Sequence, residues 1–235
     1  MNALCIIPAR GGSKRIPRKN IRLFRGRPIM AYPIEAALTS GCFDEVMVST
    51  DDAEIAAVAR ECGATVPFLR SEKNAGDFAG SEEVLHEVIL RYQELGRKFS
   101  LACGLYPTAA LVTADQLRRG REKLEADRQL TAVLPLVRFS SPIQRALVIR
   151  EGRAPMLHPE HYDSRSQDLE PAYHDAGQWY WMRVERFLAT KELMGPNCAG
   201  LEVSAMEAQD IDHEDDWALA ELKHDALSAL SSRVR

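Results

Sequence analysis

No apolar run in this chain is long enough to cross a bilayer: stretches such as Ala3 to Ile7 and Val133 to Val137 fall far short of the roughly 20 residues a membrane helix needs. The residues after Met1 and Asn2 do not form the charged and apolar pattern of a secretory leader, so the expected location is the cytoplasm, without a membrane partner. The five cysteines (Cys5, Cys42, Cys62, Cys103, Cys198) include no C-x-x-C pair and no His at zinc-finger spacing. Being odd in number, they read as reduced and mostly buried small hydrophobes rather than a disulfide framework. A G-x-x-x-x-G-K-[ST] loop, a G-x-G-x-x-G fingerprint and a nucleophile elbow are all missing, as are internal repeats and low-complexity tracts.

What is present is an ordinary globular composition: 235 residues, 46% hydrophobic and 27% charged, enough for one α/β domain carrying a modest insertion. The net charge of −4 argues against a general nucleic-acid binder. The charge is unevenly placed, however. Eight of the thirty basic residues stand between Arg10 and Arg27, and no acid precedes Glu35. A local positive field on an acidic body points to a compact polyanion drawn to one place.

Ala3 to Ile7 reads as a buried parallel strand, followed by a basic, glycine-bearing loop. Pro28 opens a helical stretch closed by Gly41, Glu45 to Thr50 is β-rich, and Asp51 with Glu54 has capping-box spacing for a helix ending at Gly63. Thr65 to Leu69 reads as a strand. Ser81 is placed to cap a helix whose Val84, Leu85, Val88, Ile89, Tyr92 and Leu95 share one face. Strands at Leu101 to Tyr106 and Thr131 to Val137 bracket a helix begun by Thr113 and Gln116. The alternation predicts an α/β fold with a predominantly parallel, doubly wound sheet and ligands at the carboxyl ends of its strands. Residues 138–175 are polar and proline-dotted and read as an insertion, with a hairpin starting at Ala146 to Ile149. Gln178 to Met182 and Leu201 to Ser204 rejoin the body as strands, and Asp212 to Leu230 closes it as a helix.

The most informative segment is Ile6-Ile7-Pro8-Ala9-Arg10-Gly11-Gly12-Ser13-Lys14-Arg15-Ile16-Pro17-Arg18-Lys19-Asn20. Gly11 and Gly12 let the backbone approach a phosphate and turn its N–H groups inward, while Arg10, Lys14 and Lys19 supply charge. A basic surface loop for RNA is the bland alternative, but aromatic stacking residues are missing around it. This segment resembles the signature of the acylneuraminate cytidylyltransferases, and its Lys14-Arg15-Ile16-Pro17-Arg18 form is most similar to their pseudaminic acid branch. The resemblance continues through Val48-Ser49-Thr50-Asp51-Asp52, Val66-Pro67-Phe68-Leu69-Arg70, Tyr106-Pro107-Thr108 and the long run 165–178.

It implies a Rossmann-like nucleotidyltransferase fold, transfer of CMP from CTP to an acidic nine-carbon sugar, dependence on Mg²⁺, and a homodimer paired through the insertion. The sugar it implies is pseudaminic acid, with N-acetylneuraminic and legionaminic acids as alternatives. A non-catalytic nucleotide- or RNA-binding module is the remote reading. The resemblance places Arg10, Gly11, Gly12, Ser13, Lys14 and Lys19 along the triphosphate, Asn20 at the cytidine end, and Arg70, Ala79 and Ser81 around the nucleotide. Arg70 also reads as a surface ion-pair partner.

Asp210 and Asp212 stand at i and i+2, which in an extended segment puts both carboxylates on one face. Taken alone, this acidic run is a solvated helix start; the resemblance makes it a metal-binding D-x-D, with Arg10 and Lys14 as its catalytic partners. Asp215 and Asp216 read as helix-dipole residues. For the sugar, the resemblance and the run of polar groups offer Tyr106, Gln144, Arg165, Gln167, Tyr173, His174 and Tyr180. Among these Arg165 is the fork for the substrate carboxylate. The chain departs from the family at Ala109-Ala110 and at Trp179 and Met182, and the latter pair bears on the expected shape of the sugar pocket.

Overall fold

The computed structural model describes residues 1–76 and 80–233 of the chain. Its elements in order are β1 (Ala3–Pro8), β2 (Leu23–Phe24), β3 (Arg27–Pro28), α1 (Ala31–Ser40), β4 (Glu45–Ser49), α2 (Ala53–Glu61), α3 (Glu72–Ala75), α4 (Ser81–Glu94), β5 (Leu101–Leu105), α5 (Ala114–Ala126), β6 (Ala132–Arg138), β7 (Tyr173–Asp175), β8 (Trp179–Arg183), α6 (Val184–Thr190), β9 (Cys198–Glu202) and α7 (Glu214–Arg233). The main sheet runs β4-β1-β5-β8-β6-β7, with β9 on the other edge of β6. Strands β4, β1, β5, β6 and β9 point one way; β8 and β7 are antiparallel to their neighbours. The sheet is therefore mostly parallel, as expected.

Alternation along the central strands divides the core into two layers. Cys5, Ile7, Val46, Val48 and Cys103 face α1, α2 and α5 through Ile34, Ile55 and Leu117. Leu4, Ile6, Met47 and Ala102 face α4 and α6 through Leu85, Val88, Ile89 and Phe187. Both faces are covered, which is why β1 and β5 read as unbroken apolar runs rather than alternating ones.

Several local expectations shift. Pro28 does not open a helix; it ends a two-stranded ribbon whose turn, Arg25-Gly26, has both residues at positive φ. The α2 cap is Asp52, whose carboxylate accepts from the N–H groups of Glu54 and Ile55, not Asp51. Thr65 to Leu69 is not a strand: Thr65 alone bridges to Met47, because Pro67 has no N–H to continue the ladder. Gly80 caps α4, and Ser81 is its first helical residue.

Residues 139–172 leave the sheet between β6 and β7 as an arm. Three single turns of 3₁₀ helix punctuate it, and a short hairpin is closed by bonds from Val148 to Pro155 (3.0 Å) and from Leu157 to Ala146 (2.8 Å). Among the described residues, no helix is long and apolar enough to cross a membrane.

Candidate active site

Strands β1, β4 and β5 all deliver their carboxyl ends to one edge of the sheet, and the loop after β1 folds across that edge. Asn20 pins the loop from inside: it is 5% exposed and its side-chain amide donates to the Arg10 carbonyl at 3.0 Å. Arg18, held at a positive φ of 56°, ion-pairs with Asp52 at 2.5 Å and also with Glu54. Gly11 donates its N–H to Asp51 Oδ1 at 3.0 Å, and a Cβ there would lie 2.9 Å from Asp52 Oδ2. The loop therefore needs a glycine at 11 to pack on the α2 cap. This corrects the expectation that the Gly11 N–H points inward to phosphate.

The loop encloses a cavity of about 380 Å³ whose wall includes Arg10, Ser13, Lys14, Lys19 and Asn20 on one side and Asp210 and Asp212 on the other. Tyr106 and Thr108, from the end of β5, form its floor. The long segment that returns from β9 brings the two aspartates here. Lys19 donates to the carbonyl of Ile211 and lies 3.7 Å from Asp212, while Arg15 pairs with Asp212 at 2.6 Å. Burial pushes the Asp210 carboxyl above its ordinary range, and the neighbouring Asp212 charge adds to it. Burial lowers the Lys19 ammonium, against the pull of both aspartates. Asp216 accepts the N–H groups of Asp212 (3.0 Å) and His213 (2.8 Å), so it secures the start of α7 and orients Asp212.

Asp210, exposed at the cavity wall, and Asp212, partly buried beside it, repel one another and line a cationic cavity, which suits a hard divalent cation with oxygen ligands. Among the described residues, no cluster of three or more His, Cys, Asp or Glu could hold a metal alone. A cation here would thus take its remaining ligands from water and phosphate, as Mg²⁺ usually does. In the arm, His158 lies against Glu160 at 3.3 Å and His161 against Ser164 at 3.2 Å, so the two imidazoles have separate partners.

The other expected site residues divide. Ser81 reaches the cavity floor through its hydroxyl, 3.1 Å from the Tyr106 phenol. Arg70 is no surface ion-pair partner: it is 9% exposed, bonds to Ser49 Oγ (3.2 Å) and the Ser49 carbonyl (2.6 Å), and its burial lowers it to about 10. Ala79 lies outside the described residues. Tyr180 is buried beside Tyr106, ring centroids 5.6 Å apart, and donates to Asp175.

Gln144, Arg165, Gln167, Tyr173 and His174 are not brought to this cavity within one chain. Gln144 bonds to the Glu170 carbonyl at 3.0 Å, Arg165 is 72% exposed and pairs with Asp168 at 2.7 Å, and Gln167 lines a separate 410 Å³ hollow in the arm. Tyr173 donates to Glu202 at 3.1 Å, and His174 packs on Phe139. The reason is the arm itself, which carries most of them off the sheet.

Trp179 and Met182 also lie elsewhere than expected, fully buried on opposite faces of β8, and neither lines the cavity. The Trp179 ring occupies the space left by Gly120 on α5, where a Cβ would come within 2.6 Å of it. Ala109 and Ala110 are buried and bonded back to Tyr106 (3.1 Å) and Thr108 (2.8 Å), so the turn after β5 stays closed without a proline. Arg15, Asp175, Gln178 and Lys223 around Asp210 and Asp212 were not singled out from sequence. Arg15 and the stretch 175–178 do lie within the two most specific motifs.

Residues 4–95 match the family described as Cytidylyltransferase. A pseudaminic acid cytidylyltransferase from Campylobacter jejuni is 41% identical over 94% of this chain and 96% of its own. A CMP-N,N'-diacetyllegionaminic acid synthase from Legionella pneumophila is 34% identical over 94% and 95%. Among solved structures, a CMP:2-keto-3-deoxy-manno-octonic acid synthetase complexed with CTP superposes with a TM-score of 0.71 at 19% identity, covering 98% of this chain and 100% of that one. The last likeness is one of fold.

Proposed function

This chain belongs to the acylneuraminate cytidylyltransferase family, and on that premise we propose that it transfers CMP from CTP to the anomeric hydroxyl of an acidic nine-carbon sugar, pseudaminic acid, releasing pyrophosphate. The observation that carries the reading is the meeting, in one cavity at the carboxyl edge of the sheet, of Arg10, Lys14 and Lys19 with Asp210 and Asp212 from the far end of the chain. The sugar hydroxyl attacks the α-phosphorus in line with the departing pyrophosphate. Arg10 and Lys14 offset the charge that the triphosphate concentrates there, and Asn20 keeps the loop closed around it. Asp210 and Asp212 would hold Mg²⁺, which when bound supplies charge neutralisation at the transferring phosphate. We infer that the reaction runs in the cytoplasm, where CTP is at hand.

The acceptor sugar is held with help from a second subunit. The arm displays Leu147, Ile149, Leu157 and Tyr162 to solvent, an apolar set whose burial against a second copy would stabilise a homodimer. Such pairing offers Gln144, Arg165 and Gln167 to the partner's cavity rather than to their own. The test is pyrophosphate release over a panel of nucleotides and acid sugars with and without Mg²⁺. The expected result is turnover with CTP, magnesium and pseudaminic acid; legionaminic acid as the better substrate would reassign the sugar, and turnover without CTP preference would overturn the reaction.

A further inference from the structure

The end of the long 165–178 run, Tyr173-His174-Asp175-Ala176-Gly177-Gln178, is left largely unused by the reaction just described. Strands β7 and β8 lie end to end along one edge of β6, with registers Leu136 to Asp175 and Val133 to Trp181. The residues between them bulge away, held by the bond from Ala176 N–H to the Pro135 carbonyl (3.0 Å). Both oxygens of Asp175 are engaged in shaping that bulge. Oδ1 accepts the Gly177 N–H at 2.9 Å, and Oδ2 accepts the Tyr180 hydroxyl.

The turn sets Gly177 at φ 63°, and its α-carbon faces Asp210: a Cβ built there would lie 3.4 Å from Asp210 Cβ and Cγ. The next residue braces the same region twice. The Gln178 carbonyl accepts the N–H of Tyr106 at 2.8 Å, and its side-chain amide donates to the carbonyl of Glu207, three residues before Asp210, at 2.7 Å. From the opposite side Lys223 on α7 donates to the carbonyls of Ala205 and Ala208 (both 2.8 Å) and to Gln209 Oε1 (2.9 Å). The segment that delivers Asp210 is thus clamped between a helix and the bulge.

We infer that Asp175 is a positioning residue for Asp210, acting through Gly177 and Tyr180 to hold the bulge against that carboxylate. The inference rests on the cytidylyl-transfer reading above. A carboxylate suits the role because two acceptors are needed at once, one for a main-chain N–H and one for a phenol. Asparagine keeps one acceptor and places an amide beside a hydroxyl that can itself accept, so it preserves most of the function; alanine keeps none.

The experiment compares wild type, Asp175→Ala, Asp175→Asn and Gly177→Ala. Mn²⁺ binding to the CTP-saturated protein is followed by the paramagnetic resonance signal of free Mn²⁺, together with thermal melting and steady-state kinetics over Mg²⁺ and CTP. Asp175→Ala is expected to weaken Mn²⁺ binding and raise half-saturating Mg²⁺ by about tenfold or more, the scale seen when a group orienting a metal ligand is lost. KM for CTP at saturating metal stays within about two-fold, and Asp175→Asn recovers most of the loss. Gly177→Ala, which leaves Asp175 intact and adds a methyl group toward Asp210, reproduces the metal effect and decides the matter should Asp175→Ala fail to fold. A lowered melting temperature with unchanged Mn²⁺ binding in both Asp175→Ala and Gly177→Ala overturns the proposal. Should wild type bind Mn²⁺ with CTP yet release no pyrophosphate with any acid sugar, the transfer reading fails, while the Mn²⁺ comparison still judges Asp175.

Discussion

Asp51 and Asp52 are neighbours in sequence, yet the fold gives them separate tasks: Asp51 ties down the phosphate-side loop through Gly11, and Asp52 caps α2 and receives Arg18. The Arg18 guanidinium, then the N–H of Ile55, hold the Asp52 carboxyl below its ordinary value of 3.8. A carboxylate depressed in the fold contributes stability that is complete above its unfolded value and is lost as pH falls through its lower folded value. Wild type should therefore be more stable to urea than Asp52→Asn at about pH 6, and the gap should be smaller at a pH below that ordinary value. Equal midpoints at both pH values would remove Asp52 from the loop's anchorage. At this scale the sequence made the residue types legible and their partners much less so. Two adjacent acids before a helix look alike until the loop at residues 9–20 is folded back on them, and Gly11 reads as a phosphate glycine until Asp52 is seen against it. Arg70 is expected around the nucleotide, with a surface ion pair as the alternative, because nothing local says that it turns inward to Ser49.

The elements were read well where period and cap agreed and poorly where a single residue broke the pattern. Thr113 does cap α5 by accepting from Gln116 at 3.2 Å, as its spacing required. Pro67 silently ended a strand, and the bulge at 176–178 falls in the gap between the expected insertion, which ends at Asp175, and the strand expected from Gln178. Gly120 is a case where only packing explains the residue. It sits within α5, where alanine would favour the helix by about 1 kcal/mol, but its Cβ would meet ring atoms of Trp179 and Trp181 at 2.6 to 2.8 Å. Both rings are fully buried and cannot swing aside. Overpacking of this kind costs about 1–3 kcal/mol, so Gly120→Ala should lower stability by up to about 2 kcal/mol net, seen as a lower urea midpoint with unchanged denaturant slope. A more stable variant would mean that the tryptophans repack freely.

For the whole molecule, the sheet and its carboxyl edge were legible because apolar strands and amphipathic helices alternate over most of the chain. Which cavity Arg165 and Gln167 serve was not: they belong to a specific motif, and the proposed sharing between subunits leaves no local mark on the sequence. The arm makes that question testable. Ile149 is 85% exposed within it, so Ile149→Asp should convert a dimer to a monomer in sedimentation velocity and weaken use of the acid sugar more than use of CTP. Wild type sedimenting as a monomer would end the two-subunit account of the sugar pocket.

The claim on which the rest depends is that the cavity between the 9–20 loop and the Asp210–Asp212 segment joins the α-phosphorus of CTP to an acid sugar. Phosphorus NMR of the protein with CTP, Mg²⁺ and pseudaminic acid tests it directly, with Asp212→Asn as the companion sample. The account predicts that the three CTP resonances give way to one phosphodiester signal and one of pyrophosphate in wild type. The variant, which keeps the shape but not the charge, should be slower by about a hundredfold or more. Formation of orthophosphate and CDP, or equal rates in the two samples, would contradict it.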